Sequence, residues 1–273
     1  MQGRIIKQIS NDYTVFAHDK TYICKCRGIF RKEGIKPLVG DFVEFHPDKK
    51  LIERILPRKN ELVRPPVANI DQAIIITSLK EPDFSTNLLD KLLSIIDYHN
   101  IKPIIILTKL DLLSEQEKNF LMPMIAYYRQ YYEIYENHDL EAIKNCLKER
   151  VSVLTGQSGA GKSTLLNHLD PSLQIATGEI SKALGRGKHT TRHVELLSLY
   201  GGLVADTPGF SAIDLKGMTK EDIRNSFPEF RNFTCEYRDC MHVNEQNCEV
   251  KKLVLENKIL KSRYENYLKF IGK

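Results

Sequence analysis

Gly156-Gln157-Ser158-Gly159-Ala160-Gly161-Lys162-Ser163 decides the fold, because an apolar run, VSVLTG (151–156), leads into it and KSTLLNHL (162–169) leads out. G-x-x-x-x-G-K-[ST] between a buried strand and a helix is a phosphate loop. Its glycines let backbone N–H groups turn inward around phosphate oxygens, and the helix N-terminus adds partial positive charge. Lys162 is expected to reach the β- and γ-phosphates and the Ser163 hydroxyl to ligate Mg²⁺, with Thr164 beside them in the first helical turn. The plainer alternative is a Gly-rich turn that only joins strand to helix.

Working outward, AIIITS (73–78) and IIILTK (104–109) read as further buried strands, with a Leu/Ile-rich helix over 86–98 between them. Ser114 and Glu117 form a capping-box pattern that opens another helix, which Pro123 is expected to kink or divide. A weak strand near Tyr132–Tyr135 precedes a helix at 139–149, and VELLSLY, Gly-Gly and LVADT read as a hairpin. Strands alternating with helices imply a mainly parallel sheet covered on both faces, an α/β P-loop domain. Residues 1–66 instead show five short β-rich runs with alternation at Asp41-Phe42-Val43-Glu44-Phe45, the pattern of a small barrel of the OB or SH3-like kind. Arg64-Pro65-Pro66 reads as a linker after it. The expected organisation is therefore a barrel (1–66), the α/β domain (67–215) and a C-terminal module (216–273).

The phosphate loop does not say which base is bound. Thr108-Lys109-Leu110-Asp111 ends a buried strand, where ligands bind in open α/β sheets. It resembles the [NT]-K-x-D motif of GTPases, in which the Asp carboxylate accepts from the guanine ring N–H and amino group and the Lys stem packs on the base. Adenine lacks that donor pair and would leave a desolvated carboxylate unpaired. Asp206-Thr207-Pro208-Gly209 matches D-x-x-G, with Asp206 expected to hold Mg²⁺ through water and the Gly209 N–H to meet the γ-phosphate. In Ras-like GTPases the phosphate loop comes first and the base motif last. Here the base motif leads, the phosphate loop follows and D-x-x-G closes the series, as in a circular permutation that joins old termini.

Six cysteines are present. Cys24 and Cys26 alternate along an apparent strand and share one face, more in keeping with packing than with ligation. Cys235, Cys240, His242 and Cys248 supply four ligands of the type and number of a closed tetrahedral Zn²⁺ site, although the spacing is not among the commonest for zinc fingers. The alternative is unrelated buried thiols and a surface histidine. Val250, Leu253, Leu260, Tyr264, Tyr267 and Ile271 recur at helical spacing, the docking stripe of a helix after the cluster.

Apolar residues make up 42% and charged residues 27% of the 273-residue chain, as in an ordinary globular protein. No apolar run approaches the ~20 residues of a membrane span, and MQGRIIKQIS lacks the apolar core of a secretory signal, so a cytoplasmic protein without a membrane partner is expected. The formal charge is +6 over residues 1–66, −4 over 67–215 and +3 over 216–273. Basic flanks around an acidic middle suggest that the flanks meet a polyanion; solvated surface lysines are the plainer account.

Together these features resemble the circularly permuted ribosome-assembly GTPases of the RsgA (YjeQ) family across nearly the whole chain. The resemblance implies a GTP hydrolase that binds the small ribosomal subunit and its rRNA, acts in late subunit maturation, cycles between GTP and GDP, and is a monomer. It implies one structural Zn²⁺ on Cys235, Cys240, His242 and Cys248, and Mg²⁺ with the nucleotide. Gly185–His193 looks like the family's first switch, so Thr190 or Thr191 should meet Mg²⁺ and His189 matches a histidine proposed to assist hydrolysis; a solvated or RNA-facing His189 is the alternative. Phe210 stands where Ras-like enzymes carry a water-orienting Gln, a substitution the family shares. No Ser-Ala motif for further base contacts is found over 133–138. Two rival classes stand beside this reading. One is a P-loop enzyme acting on a small metabolite, against which TKLD and DTPG argue. The other is a structural RNA-binding protein that uses GTP for stability without turnover.

Overall fold

The computed structural model describes residues 1–28, 30, 34–63, 65–173, 194–206 and 214–272. Five strands open the chain: β1 (Gln2–Ile9), β2 (Asp12–Ala17), β3 (Lys20–Cys26), β4 (Phe42–His46) and β5 (Leu51–Ile55). They pair in the order β1-β2-β3-β5-β4, and β4 returns to β1. Every pair is antiparallel except β3 with β5, which run parallel through Lys25↔Leu51 and Cys26↔Ile52. This closed five-stranded barrel leaves no free edge. Alternation along each strand turns Ile5, Val15, Cys24, Val43, Phe45 and Ile52 inward, all essentially without exposure.

Of the expected linker Arg64-Pro65-Pro66, Arg64 lies outside the described residues and Pro66 does not sit in an open linker. Strands β6 (Glu61–Val63) and β7 (Pro66–Ala68) pair as a tight hairpin in the register Glu61↔Ala68 and Val63↔Pro66. Ala68 N–H donates to the Val39 carbonyl at 2.9 Å, so the segment packs on the barrel. The Pro nitrogen has no hydrogen to lose at a hairpin end, which is why proline is tolerated there.

The α/β unit follows as β8 (Gln72–Ser78), α1 (Thr86–Tyr98), β9 (Lys102–Thr108), α2 (Glu115–Tyr128), β10 (Glu133–Glu136), α3 (Leu140–Leu147), β11 (Val151–Gly156), α4 (Lys162–Leu169) and the hairpin β12 (Val194–Leu199) and β13 (Gly202–Asp206). The order β10-β9-β8-β11-β13 is parallel throughout, and β12 adds antiparallel. Ile74, Ile76 and Ile106 face Ile143, Leu147 and Leu166, while Ile75 and Ile105 lie in the opposite core with Leu92, Leu93 and Ile125. A sheet buried on both faces accounts for the unbroken Ile runs. The expected capping box opens α2: Glu117 N–H donates to Ser114 Oγ, and Ser114 N–H donates to Glu117 Oε2 at 2.7 Å. Pro123 lies inside α2 without dividing it.

The barrel and the α/β sheet are one eleven-stranded surface, because β12 pairs with β1 through Lys7↔Glu195 and Gln8↔Val194. Lys7 Nζ meets Glu195 Oε2 at 2.6 Å across that seam.

The tail holds α5 (Lys220–Asn225), α6 (Pro228–Arg231), α7 (Glu249–Leu255) and α8 (Lys261–Phe270). The expected single helix after the cluster is thus two. Asn257 takes a left-handed φ of 56° between them, and the N–H groups of Lys258 and Ile259 both donate to the Leu253 carbonyl. That is how a helix end satisfies its last carbonyls before the chain turns. Phe227, Phe230, Val250, Ile259, Tyr267 and Ile271 form the module's own core.

Candidate functional site

The parallel strands β8, β9, β11 and β13 end at one edge of the sheet, and the motifs gather there. Gly156 closes β11 with a φ of 138°, and a Cβ on it would stand 2.1 Å from the Ile76 carbonyl oxygen. Only glycine fits so close to the neighbouring strand. Gly161, the residue before α4, has a φ of 90°. Between them Gln157, Ser158 and Gly159 lie at or near the surface while Ala160 is buried.

Lys162 folds back across the loop it ends. Its Nζ donates to the carbonyls of Gly156 at 2.9 Å and Gln157 at 2.7 Å. Burial lowers its pKa, and among the described residues no carboxylate opposes it. A half-buried ammonium held by neutral carbonyls is a position that an anion would complete. Ser163 is buried at the start of α4, and Thr164 on the next position is exposed.

The base motif is tied to this loop. Thr108, buried at the end of β9, donates through Oγ1 to the Ala160 carbonyl at 2.7 Å. Lys109 adopts a left-handed φ of 61°, which turns the chain out of the strand, and its Nζ donates to the Glu81 carbonyl. Leu110 and the exposed Asp111 then lie in a single 3-10 turn, Leu110–Leu112. The segment after β10 reaches the same edge, with Asn137 N–H donating to the Leu107 carbonyl at 2.9 Å. Asp206 ends β13 one residue beyond the Val153↔Ala205 register pair, beside β11. The Asp206 side chain, Gly209, His189, Thr190, Thr191 and Phe210 lie outside the described residues.

The fourfold cluster of the tail is assembled. One ligand atom each from Cys235, Cys240, His242 and Cys248 lies within 4.8 Å of the others. His242 Nδ1 stands 3.6, 3.4 and 3.3 Å from the sulfurs of Cys235, Cys240 and Cys248, and the Cys235 and Cys248 sulfurs are 3.9 Å apart. A tetrahedron with ~2.3 Å metal–sulfur and ~2.0 Å metal–nitrogen bonds has edges of about 3.5 to 3.8 Å, so the four fit a metal ion. Burial pushes the Cys240 thiol up to about 12 and draws the His242 imidazole down to about 4, with Arg224 adding to the latter. A divalent cation at the centre would favour thiolates and a neutral imidazole, which the protein alone only half supports. Tyr264 Oη donates to the His242 carbonyl at 2.6 Å, and Glu245 accepts from the N–H groups of Met241 and Val243, fixing the ligand loop.

The RsgA GTPase profile matches residues 55–216 and the RsgA N-terminal domain profile matches residues 2–51. The chain belongs to the RsgA GTPase family. It is 49% identical to the small ribosomal subunit biogenesis GTPase RsgA 2 of Oceanobacillus iheyensis, over 99% of this chain and 96% of that protein. It is 50% identical to the RsgA of Enterococcus faecalis, over 99% and 94% respectively. Among solved structures, YjeQ of Thermotoga maritima superposes with a TM-score of 0.86 at 34% identity, covering 100% of this chain and 99% of that one. YloQ, described as a circularly permuted GTPase, gives 0.83 at 37% identity, covering 99% and 93%. The barrel, the permuted α/β sheet and the Cys/His cluster of this RsgA-family chain are the fold class expected from its β-rich start, its motif order and its ligand set.

Sequence reading passed over two features of the site. Nothing in the Thr108 position announced its bond to the Ala160 carbonyl. The other is a buried charge cluster, Arg263 with Asp90 and Glu229, which joins the metal module to α1.

Proposed function

We propose that this chain is a GTP hydrolase that binds the small ribosomal subunit and acts in its late maturation. The observation that carries the proposal is the 2.7 Å bond from Thr108 Oγ1 to the Ala160 carbonyl, which makes the guanine motif and the phosphate loop one site. Relatives at 49% and 50% identity over 99% of the chain, named as small ribosomal subunit biogenesis GTPases, supply the role.

In this reading the loop amides from Gly156 to Ser163 take the β-phosphate, and Lys162 leaves its two carbonyls for the β- and γ-phosphates. Asp111 accepts from guanine, and the Lys109 stem lies along the base. Ser163, Asp206 and Thr190 or Thr191 would hold Mg²⁺, which would neutralise charge on the transferred phosphoryl group. Phosphoryl transfer asks for little beyond positioning and charge neutralisation. Gly209 meets the γ-phosphate, so hydrolysis releases the D-x-x-G turn, which in the permuted order runs straight into the C-terminal module. The four tail ligands hold Zn²⁺ in a structural role, since four protein ligands leave no open position. The protein acts as a cytoplasmic monomer without a membrane partner; no described helix is long and apolar enough to cross a bilayer.

With Phe210 in place of a water-orienting Gln, the free protein turns GTP over slowly. The subunit accelerates turnover by bringing His189 towards the γ-phosphate. Turnover of GTP and ATP, measured with and without purified small subunits, tests the whole reading. Stimulated turnover of GTP alone is expected, and His189→Ala should lose most of the stimulation while keeping nucleotide affinity. Equal turnover of ATP, or no response to subunits, would refute it.

A further inference from the structure

The tail helix α8 reaches the nucleotide half at a second point besides Arg263. Asn266, one turn further along the same face, is 3% exposed. Its Nδ2 donates to Asp90 Oδ2 at 2.7 Å and to Thr86 Oγ1 at 3.2 Å, and its Oδ1 accepts from Asn87 Nδ2 at 3.1 Å. Both donors of the amide are thereby used, and its oxygen has a partner. Thr86 and Asn87 are the first two residues of α1.

That first turn stands against the phosphate loop. Ser85, which caps α1 by accepting from the Leu88 N–H at 3.2 Å, lines one small cavity with Leu88, Leu89, Gly156 and Gln157. Just before it in the chain, Pro82 Cδ lies 3.5 Å from where a Cβ on Gly159 would stand. The start of α1 and its lead-in therefore flank the loop at Gly156 and Gln157 and again at Gly159. Leu89, Leu92 and Leu93 pack α1 into the core under the sheet. Apolar contact of that kind is non-directional, so it sets the depth of the helix rather than its exact register. Directional bonds to a buried amide, with every partner met, do specify register.

We propose that Asn266 is a positioning residue for the phosphate loop: by fixing the first turn of α1 it sets where Gly156 to Gly159 stand when they meet phosphate. The inference rests on the nucleotide-binding reading above and deepens it, since it makes the tail module part of the geometry that binds nucleotide. Among the described residues, the side-chain hydrogen bonds of Asn266 all go to α1, and none goes to the base motif or the Cys/His cluster. Its effect should therefore fall on phosphate affinity and leave the choice of base alone.

The test compares full-length wild type with Asn266→Leu, which keeps the shape and removes the amide, with the fold of each checked by circular dichroism. GTP, GDP, ITP and inorganic triphosphate are titrated at one ionic strength, and urea midpoints are measured alongside. Affinities for GTP, GDP and triphosphate should all fall by the same factor, roughly fivefold, the scale of one net hydrogen bond lost from the binding geometry. The preference for GTP over ITP, which lacks the 2-amino group that Asp111 reads, should stay as in wild type. Asn87→Ala and Thr86→Val each remove one bond from a position that is not buried, and should move the same affinities in the same direction by less. These two variants carry the test if Asn266→Leu does not fold. Unchanged triphosphate affinity with a lowered urea midpoint would overturn the inference, leaving Asn266 as a tie for the tail alone. A changed GTP-to-ITP preference with triphosphate affinity intact would overturn it too. Wild-type protein that binds neither GTP nor triphosphate would instead strike the nucleotide reading itself.

Discussion

The Arg263 guanidinium lies 2.7 Å from Asp90 Oδ1, with both side chains essentially cut off from solvent and 173 residues apart in the chain. Arg263 also holds Glu229 through Nε at 2.6 Å and Nη2 at 2.8 Å, and its guanidinium lies 4.4 Å from the centre of the Phe227 ring. Burial pushes the Asp90 carboxyl upward, against the pull of Arg263, Tyr128 and Asn266. Tyr128 Oη donates to Oδ1 at 2.6 Å and Asn266 to Oδ2 at 2.7 Å, so both oxygens are occupied as acceptors and the group is a carboxylate. For Arg263 burial works downward, but Asp90 foremost and Glu229 outweigh it and hold the group well above its usual value. One cation therefore satisfies α1 of the nucleotide half and α6 of the metal module at once.

Removing that cation should be severe. Arg263→Met leaves two carboxylates buried without a counter-charge, a loss of about 3–5 kcal/mol for breaking a buried pair from one side. Urea unfolding of the two proteins measures it. A difference below about 1 kcal/mol would mean that the cluster adds little beyond surface-pair strength.

Thr108→Val tests the bridge between the two nucleotide motifs. The methyl keeps the shape, but the buried Ala160 carbonyl loses its donor, at a cost of about 1–3 kcal/mol. The loss falls on loop geometry, so GTP and GDP affinities should both drop roughly tenfold or more, since ~1.4 kcal/mol is a factor of ten. Titration with a fluorescent nucleotide reads this directly. Unaltered affinity for both would show that the bond only supports the fold.

Asp111 carries the choice of base. Among the described residues no hydrogen bond or ion pair engages its exposed carboxylate, which leaves both oxygens for a ligand. Asp111→Asn should lose guanine affinity and gain preference for xanthine nucleotides, whose extra carbonyl suits an amide donor. Competition between GTP and XTP on wild type and variant checks it, and a variant that still prefers GTP removes Asp111 from the base site.

The legible parts of this protein were those written in local patterns. Apolar strand runs, the Ser114–Glu117 box and the motif order carry their meaning within a few residues, and they gave the permuted α/β sheet and the fourfold ligand set. What was not legible is long-range. Arg263 stands in a polar position of a short helix, where periodicity assigns solvent; it is buried because Asp90 and Glu229 arrive from elsewhere in the chain. The β1–β12 seam is likewise silent, since each strand reads as an ordinary edge until Lys7 and Glu195 are placed together. The tail stripe reads as one helix because Leu253 and Leu260 keep helical spacing across a turn at Asn257, which only the backbone reveals.

Glu117 offers a pH test with a definite sign. Hydrogen bonding to Lys80 foremost, at 2.9 Å, and to Ser114 lowers its pKa from 4.5 to about 2. A depressed carboxylate contributes stability that is fully present above its unfolded value of about 4.3 and is lost as pH falls through about 2. The side chain is exposed, so solvent screening keeps the effect local. Carboxyl NMR should show Glu117 titrating near pH 2, and amide exchange at the start of α2 should accelerate only in that range. A midpoint near 4.5 would mean that the capping box and the Lys80 pair do not persist in solution.

The last prediction concerns the metal. Cys235, Cys240, His242 and Cys248 come from the loop between α6 and α7, and Cys240 and Cys248 also belong to the module's hydrophobic core. A small module of this kind depends on its ion for folding, because the preformed site does not survive in the unfolded chain. Elemental analysis of purified protein should find one zinc ion per chain. Cys235→Ser or a strong chelator should release it and expose residues beyond about 215 to protease. The damage should not stop there. Phe230 packs edge-on to the His242 ring at 5.3 Å, and its neighbour Glu229 holds Arg263, so loosening the ligand loop frees the cation that anchors α1. Metal loss should therefore lower the unfolding midpoint of the nucleotide half as well, though the four ligands stand in the tail. In the Arg263→Met variant that coupling should vanish, with chelation then affecting the tail alone. Metal-free protein with a protease-resistant tail and an unchanged midpoint would refute the metal's structural role and the coupling together.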